Sequence, residues 1–101
     1  MSKLLKTIHP LLSDRNRLII MVKIASLDEP ISFNDLLNEL QFSKGNLSSH
    51  IRKLEAADLV KVEKNFIDRK PLTTYECTLE GKKTIKEYLN TVEEMLKMVK
   101  T

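Results

Sequence analysis

The chain has 101 residues, enough for one domain with one modest core and too few for a reading module joined to a separate effector domain. Hydrophobic residues make up 42% and charged residues 31%, and two glycines with three prolines favour long helices over a many-stranded β fold. The net charge is +3, and its distribution says more than its size: residues 43–71 hold seven cations (Lys44, Arg52, Lys53, Lys61, Lys64, Arg69, Lys70) against four acids, and the remaining segments balance. No apolar run is long enough to span a bilayer, so no membrane partner is expected. Lys6, His9 and Pro10 interrupt any secretory apolar region at the N-terminus. The single cysteine, Cys77, cannot form an internal disulfide, which fits a reducing, cytoplasmic location.

Residues 3–12 carry Leu4, Leu5, Ile8, Leu11 and Leu12, an amphipathic segment predicted to be helical until Pro10 disfavours continuation. Ser13 or Asp14 can cap the next helix, predicted over 15–27. It is apolar nearly all round after its first turn, so it is expected to be the central buried helix. Asp28-Glu29-Pro30 ends it. Ile31 reads as a short strand, and Ser32 with Asp35 forms a capping-box-like start to a helix over 33–40 that buries Phe33, Leu36, Leu37 and Leu40.

After the turn Gln41-Phe42-Ser43, with Ser43 as cap, the stretch 43–59 read at helical spacing places Leu47, Ile51 and Leu54 on one face. Lys44, Gly45, Ser48, Ser49, Arg52 and Lys53 occupy the other face or its flanks, with no acid before Glu55. A solvated face usually mixes charge signs, whereas small donors with cations suit phosphates and base edges. Taken alone, this stretch also fits an ordinary amphipathic core helix. Two short helices joined by about three residues form a helix-turn-helix signature.

Beyond Ala57 the period changes. Residues 59–63 alternate as a strand, 65–71 read as a loop, and 72–77 read as a second strand with Tyr75 and Cys77 on one face. The hairpin is therefore expected to be half buried, with a basic tip. Thr78 caps a last helix of about twenty residues. Its apolar residues are Ile85, Tyr88, Leu89, Val92, Met95, Leu96 and Val99, with 85, 92 and 99 seven apart. Such a stripe extends past so small a core and calls for a partner, most simply a second copy of the chain.

The strings F-N-D-L-L-N-E-L (33–40), S-K-G-N-L-S-S-H-I-R-K-L-E-A-A-D-L-V (43–60), F-I-D-R-K-P-L-T-T-Y (66–75) and T-L-E-G (78–81) resemble the MarR/ArsR-type winged-helix transcription regulators, and are closest to their small single-domain archaeal and bacterial members. The resemblance implies a mainly α fold with a small β-hairpin: a winged helix-turn-helix with a long C-terminal dimerisation helix. It implies that 43–59 is the DNA-recognition helix, the hairpin the wing, and T-L-E-G the opening of the dimerisation helix. The expected organisation is an N-terminal dimer-supporting segment (1–12), a winged-helix core (13–77) and the dimerisation helix (78–101). One departure from the family pattern is Asp58, where glycine is usual. Aspartate is among the few other residues that tolerate a left-handed turn.

The expected function is sequence-specific binding of double-stranded DNA by a homodimeric transcription regulator. The candidate DNA contacts are Lys44, Gly45, Asn46, Ser48, Ser49, Arg52 and Lys53, with Lys64, Arg69 and Lys70 from the wing. Asn46 could pair with adenine and Arg52 with guanine, while Gly45 would let backbone N–H groups approach a phosphate. Arg69 is placed in the minor groove and Lys70 on phosphate. The candidate dimer interface is Leu4, Leu5, Ile8, Leu12, Ile85, Tyr88, Leu89, Val92, Met95, Leu96 and Val99.

No catalytic motif is present, and Cys77, His9 and His50 are too scattered in sequence to suggest a metal site, so no enzyme activity, metal or cofactor is expected. His50 is read as a hydrogen-bonded structural histidine and Cys77 as an inert thiol. No residue cluster marks an effector pocket. The alternatives are a winged helix used as a protein-interaction module, or a sequence-neutral chromatin protein.

Overall fold

A computed structural model describes residues 8–100. Leu4, Leu5 and most of the expected N-terminal helix lie outside the described residues. Ile8 and His9, the described residues before Pro10, are not helical, and Pro10 starts a 3-10 helix, Pro10–Ser13. Its missing N–H costs nothing at a helix start. Asp14 then caps α1 (Arg15–Ala25), accepting from the backbone N–H groups of Asn16 at 2.9 Å and Arg17 at 3.1 Å. The Arg17 backbone N–H, opposed by partial burial, holds the Asp14 carboxyl below its ordinary range.

β1 (Ile31–Ser32) leads directly into α2 (Phe33–Leu40), where the Ser32 hydroxyl accepts from the Asp35 N–H. Gln41 closes α2 in the left-handed region at φ 62°. Ser43 caps α3 (Lys44–Ala56), its hydroxyl accepting from the Asn46 N–H. β2 (Val60–Ile67) and β3 (Lys70–Cys77) follow, then α4 (Leu79–Val99). The sheet order is β1-β3-β2, antiparallel throughout. This is the mainly α winged helix-turn-helix with a small sheet and a long C-terminal helix.

Leu12, Ile20, Met21, Ile24, Leu36, Leu47 and Leu54 form the closed centre, with Leu59, Val60, Tyr75 and Ile85 completing it. Leu36 is fully buried on α2, while Phe33, Leu37 and Leu40 pack against the core only partly covered. Two interface expectations are corrected here. Leu12 is fully buried and Ile85 nearly so, both inside this chain's own core, so neither offers surface to a partner. The central-helix expectation is corrected as well. One side of α1 is core, but Ile19 and Val22 on its other side are exposed. A helix apolar over most of its length therefore divides that surface between the core and an uncovered face.

The hairpin also differs from the expected seven-residue loop. β2 runs on to Ile67, β3 starts at Lys70, and only Asp68 and Arg69 turn the chain, with φ 52° and 67°. Two successive left-handed residues make the tight turn that matches strand twist. Pro71 is tolerated because β1 pairs with β3 only at Thr74 and Tyr75, leaving β3 an open edge at Pro71.

A joint ties the end of α3 to the start of α4. Asp58 takes the left-handed conformation at φ 61° that glycine would otherwise supply. Its carbonyl accepts from the Thr78 hydroxyl at 2.7 Å, and that hydroxyl in turn accepts from the Gly81 N–H at 2.8 Å. The Leu59 carbonyl accepts from the Thr78 N–H at 3.2 Å. A Cβ on Gly81 would overlap that same Leu59 carbonyl oxygen and press on Cys77 Sγ and Met21.

Candidate nucleic-acid interface

α3 presents its faces in order around the helix, at about 100° per residue. Leu47, Ile51 and Leu54 point into the core. Gly45, Ser49 and Arg52 lie near the middle of the opposite face, with Lys53 and then Asn46 on one flank, and Ser48 and then Lys44 on the other. Lys44, Gly45, Arg52 and Lys53 are exposed, and Ser48 and Ser49 are half-buried. Asn46 is placed differently from its neighbours. It is half-buried at the rim of this face, on the side of α1 rather than at the centre.

His50 lies on the same rim, where its Nδ1 sits 3.4 Å from Arg17 Nη1. A guanidinium can only donate, so the ring nitrogen facing it accepts. Arg17 also donates from Nε to the Leu11 carbonyl at 2.9 Å and approaches the Asp14 carboxylate at 3.9 Å. Arg17 is therefore spent in holding α3 against α1, and His50 has the structural role expected of it.

On the other rim a groove runs between α3 and the wing. Ser48, Ile51, Arg52 and Glu55 line one wall, and Val62, Lys64, Thr73 and Tyr75 the other. This fixes which face of the hairpin accompanies α3. Alternate residues share a face, so Val62, Lys64 and Phe66 of β2 and Tyr75, Thr73 and Pro71 of β3 are on the α3 side. Tyr75 anchors that face, buried and 6.4 Å from the Phe33 ring, and burial pushes its hydroxyl pKa up.

The cations of this region are not neutralised within the chain. Among the described residues, Lys44, Arg52, Lys53, Lys64, Arg69 and Lys70 make no ion pair, whereas Lys61 pairs with Glu63 at 3.2 Å and Lys23 with Glu39 at 2.9 Å. Six of the seven cations counted in the sequence thus keep an open charge. Arg69 and Lys70 are brought to the wing tip, and Lys64 to the wing face beside α3.

Gly45 has nothing within 4 Å of where a Cβ would stand, so the fold itself does not require glycine there. Cys77 is half-buried, its thiol donating to the Thr78 carbonyl at 3.3 Å, and burial pushes its pKa up, with Lys82 partly opposing. Among the described residues no group of His, Cys, Asp and Glu could hold a metal ion, and no helix is long and apolar enough to cross a membrane.

The dimer candidates divide by burial. Ile8, Tyr88 and Met95 are half-buried; Leu89, Val92, Leu96 and Val99 are exposed. Sequence reasoning missed that Ile19 and Val22 of α1 are exposed as well. An open groove of about 250 Å³ between α1 and α4 is lined by Val22, Ala25, Ile85 and Leu89, with Lys82 and Lys86 at its edge. It also missed Phe66 and Ile67 at the wing tip, which are 76% and 57% exposed. Continuing the alternation from Val60 past Val62 would have found the first of them.

This fold and this unpaired cationic face define a winged helix reading head. Residues 16–96 match the winged helix DNA-binding domain family, and the chain belongs to it. Over 84 residues it is 30% identical to an uncharacterized protein of Methanocaldococcus jannaschii, covering 80% of this chain and 91% of that protein. The structure of a transcriptional regulator homologue from Pyrococcus horikoshii is similar over all of both chains, with a TM-score of 0.89 and 30% identity. MepR from Staphylococcus aureus, solved in complex with DNA, shares the fold with a TM-score of 0.74 at 16% identity, over 96% of this chain and 82% of that one.

Proposed function

We propose that this protein is a homodimeric, sequence-specific DNA-binding transcription regulator. α3 lies in the major groove and the wing on the flanking minor groove. The observation that carries the reading is the set of six unpaired cations on α3 and the wing, beside a core in which the other polar groups find partners. Unpaired lysines and arginines on one side of a winged helix suit a phosphate backbone, which releases its counterions when they bind. Arg52 and Ser49 supply the base contacts at the centre of α3, and Lys44, Lys53, Lys64 and Lys70 supply phosphate contacts. Arg69 at the turn enters the minor groove.

The dimer forms through α4 and the exposed side of α1, placing two copies of α3 about 34 Å apart on a pseudo-palindromic site. The test is selection of bound duplexes from a random-sequence library, followed by fluorescence anisotropy. A regulator binds the selected duplex about 10³-fold or more tighter than random sequence, and loses affinity steeply with salt. Equal affinity for both duplexes would favour a sequence-neutral packing role. Retention of no duplex at low salt would defeat DNA binding altogether.

A further inference from the structure

The wing ends in an apolar tip that the fold does not use. Phe66 and Ile67 are among the most exposed large hydrophobic residues of the chain, and Pro71 pairs directly across from Phe66. A single exposed apolar side chain needs no explanation, but a phenylalanine, an isoleucine and a proline at one hairpin end are another matter. The two large residues differ in direction. Phe66 follows Val62 and Lys64 on the face turned toward α3, and Ile67 is on the reverse face. Four residues of strand carry Phe66 about 13 Å beyond Val62, at the edge of the core.

Around it stand Lys64, two residues back on the same face, and Arg69 and Lys70 in and after the turn, none of them ion-paired. The tip is therefore an aromatic side chain and a proline ring in a cationic surround, aimed to the same side as the cationic face of α3.

We propose that Phe66 is a DNA wedge: its ring enters the minor groove beside Arg69, packs on a base step and partly unstacks it, with Pro71 stiffening the strand behind. The inference rests on the DNA-binding reading above. Apolar side chains inserted at base steps are a known means of kinking a duplex, and the occupant here is fixed by charge. The cations bring the polyanion to the tip, and the ring supplies a contact that every base step can accept.

The experiment uses the full chain and the duplex recovered from the random-sequence library, with 2-aminopurine placed in turn at each flanking purine. Wild type is expected to raise 2-aminopurine fluorescence at one flanking step. Phe66→Ala is expected to abolish that rise and to weaken binding about tenfold, with an unchanged salt slope because no phosphate contact is lost. Phe66→Leu keeps most of the affinity. Arg52→Ala weakens binding but still gives the fluorescence rise at saturating protein. Thermal melting of Phe66→Ala matches wild type, since the ring is out in solvent.

The wedge is overturned if wild type leaves every 2-aminopurine dark, or if Phe66→Ala matches wild type in both affinity and fluorescence. It is also overturned if sedimentation shows that Phe66→Ala chiefly disrupts self-association, which would make the tip a protein contact. Failure of the DNA-binding reading is distinct: then the wild-type chain recovers no duplex from the library.

Discussion

Gly45 and Arg69 are where the chain departs from what its own stability would choose. Gly45 stands in the first turn of α3, exposed, with open space around it and no left-handed backbone to require it. Alanine there should stabilise the isolated protein by up to about 0.5–1 kcal/mol, the usual difference between the two residues within a helix. If Gly45 lets a phosphate approach the N–H groups at the helix start, the same substitution weakens DNA binding. Opposite signs in thermal melting and in anisotropy are the expected result; improvement or loss in both would show that the glycine has no such role. Arg69 holds a left-handed conformation that glycine or asparagine would take at less cost, which is the pattern of a functional residue placed at a turn.

Asp14 makes a prediction about pH. Its folded pKa is lowered, first by the Arg17 backbone N–H, so its cap contributes stability that is present above the ordinary aspartate range and is lost as pH falls through the lowered value. Asp14→Ser retains a capping oxygen without a titrating group. Melting temperature followed from pH 6 downward should therefore fall less steeply for Asp14→Ser than for wild type, and parallel curves would remove Asp14 from the acid response.

At the scale of elements, the joint between α3 and α4 explains the T-L-E-G string. Gly81 is packed so closely on Leu59 that a methyl group would strike its backbone carbonyl, which cannot move aside as the neighbouring Met21 side chain can. Gly81→Ala should cost at least about 1–3 kcal/mol, the range for overpacking a site that cannot yield. A chemical denaturation midpoint close to wild type would show that the joint can open. The joint also sets how the reading head stands on α4, because Thr78 bonds both the end of α3 and the first turn of α4.

What could be read in advance follows from the range of the interaction. Ser32, Ser43 and Thr78 act within a few residues, and their capping roles are legible in the string itself, whereas the left-handed turn at Asp58 is legible only through the family pattern, in which glycine is usual there. The wing was misjudged because its turn uses Asp68 and Arg69 without glycine, while Pro71 suggested a loop. The strand pairing that overrides both signals is tertiary. α1 was misjudged for a different reason. A helix apolar nearly all round after its first turn says that much of its surface must be covered, but not how much of the cover comes from its own chain.

For the whole molecule that cover carries the largest energetic consequence. The chain is elongated, 57 Å by about 25 and 22 Å, and α4 alone runs for 21 residues. Along it Leu89, Val92, Leu96 and Val99 are exposed on one side, and Ile19 and Val22 on α1 extend the same kind of surface. Leu89 also lines the groove beside Val22, so the exposed apolar residues of the two helices meet there, with Ser26, Lys82 and Lys86 beside them. A monomer rarely leaves so extended a face in water.

Placing charge on this face separates folding from assembly. Leu89 and Leu96 are 45% and 54% exposed, so Leu89→Glu with Leu96→Glu leaves the core packing in place. The double variant should sediment as a monomer, with the same circular dichroism as wild type. Its affinity for a two-half-site duplex should drop by about 10²–10⁴, because the second reading head no longer binds as a tethered partner. The salt slope should fall to about half, since the phosphate contacts of one subunit are lost. A double variant that remains dimeric, or one that is monomeric yet binds the full site with wild-type affinity and slope, would show that this face does not set the spacing of the two heads.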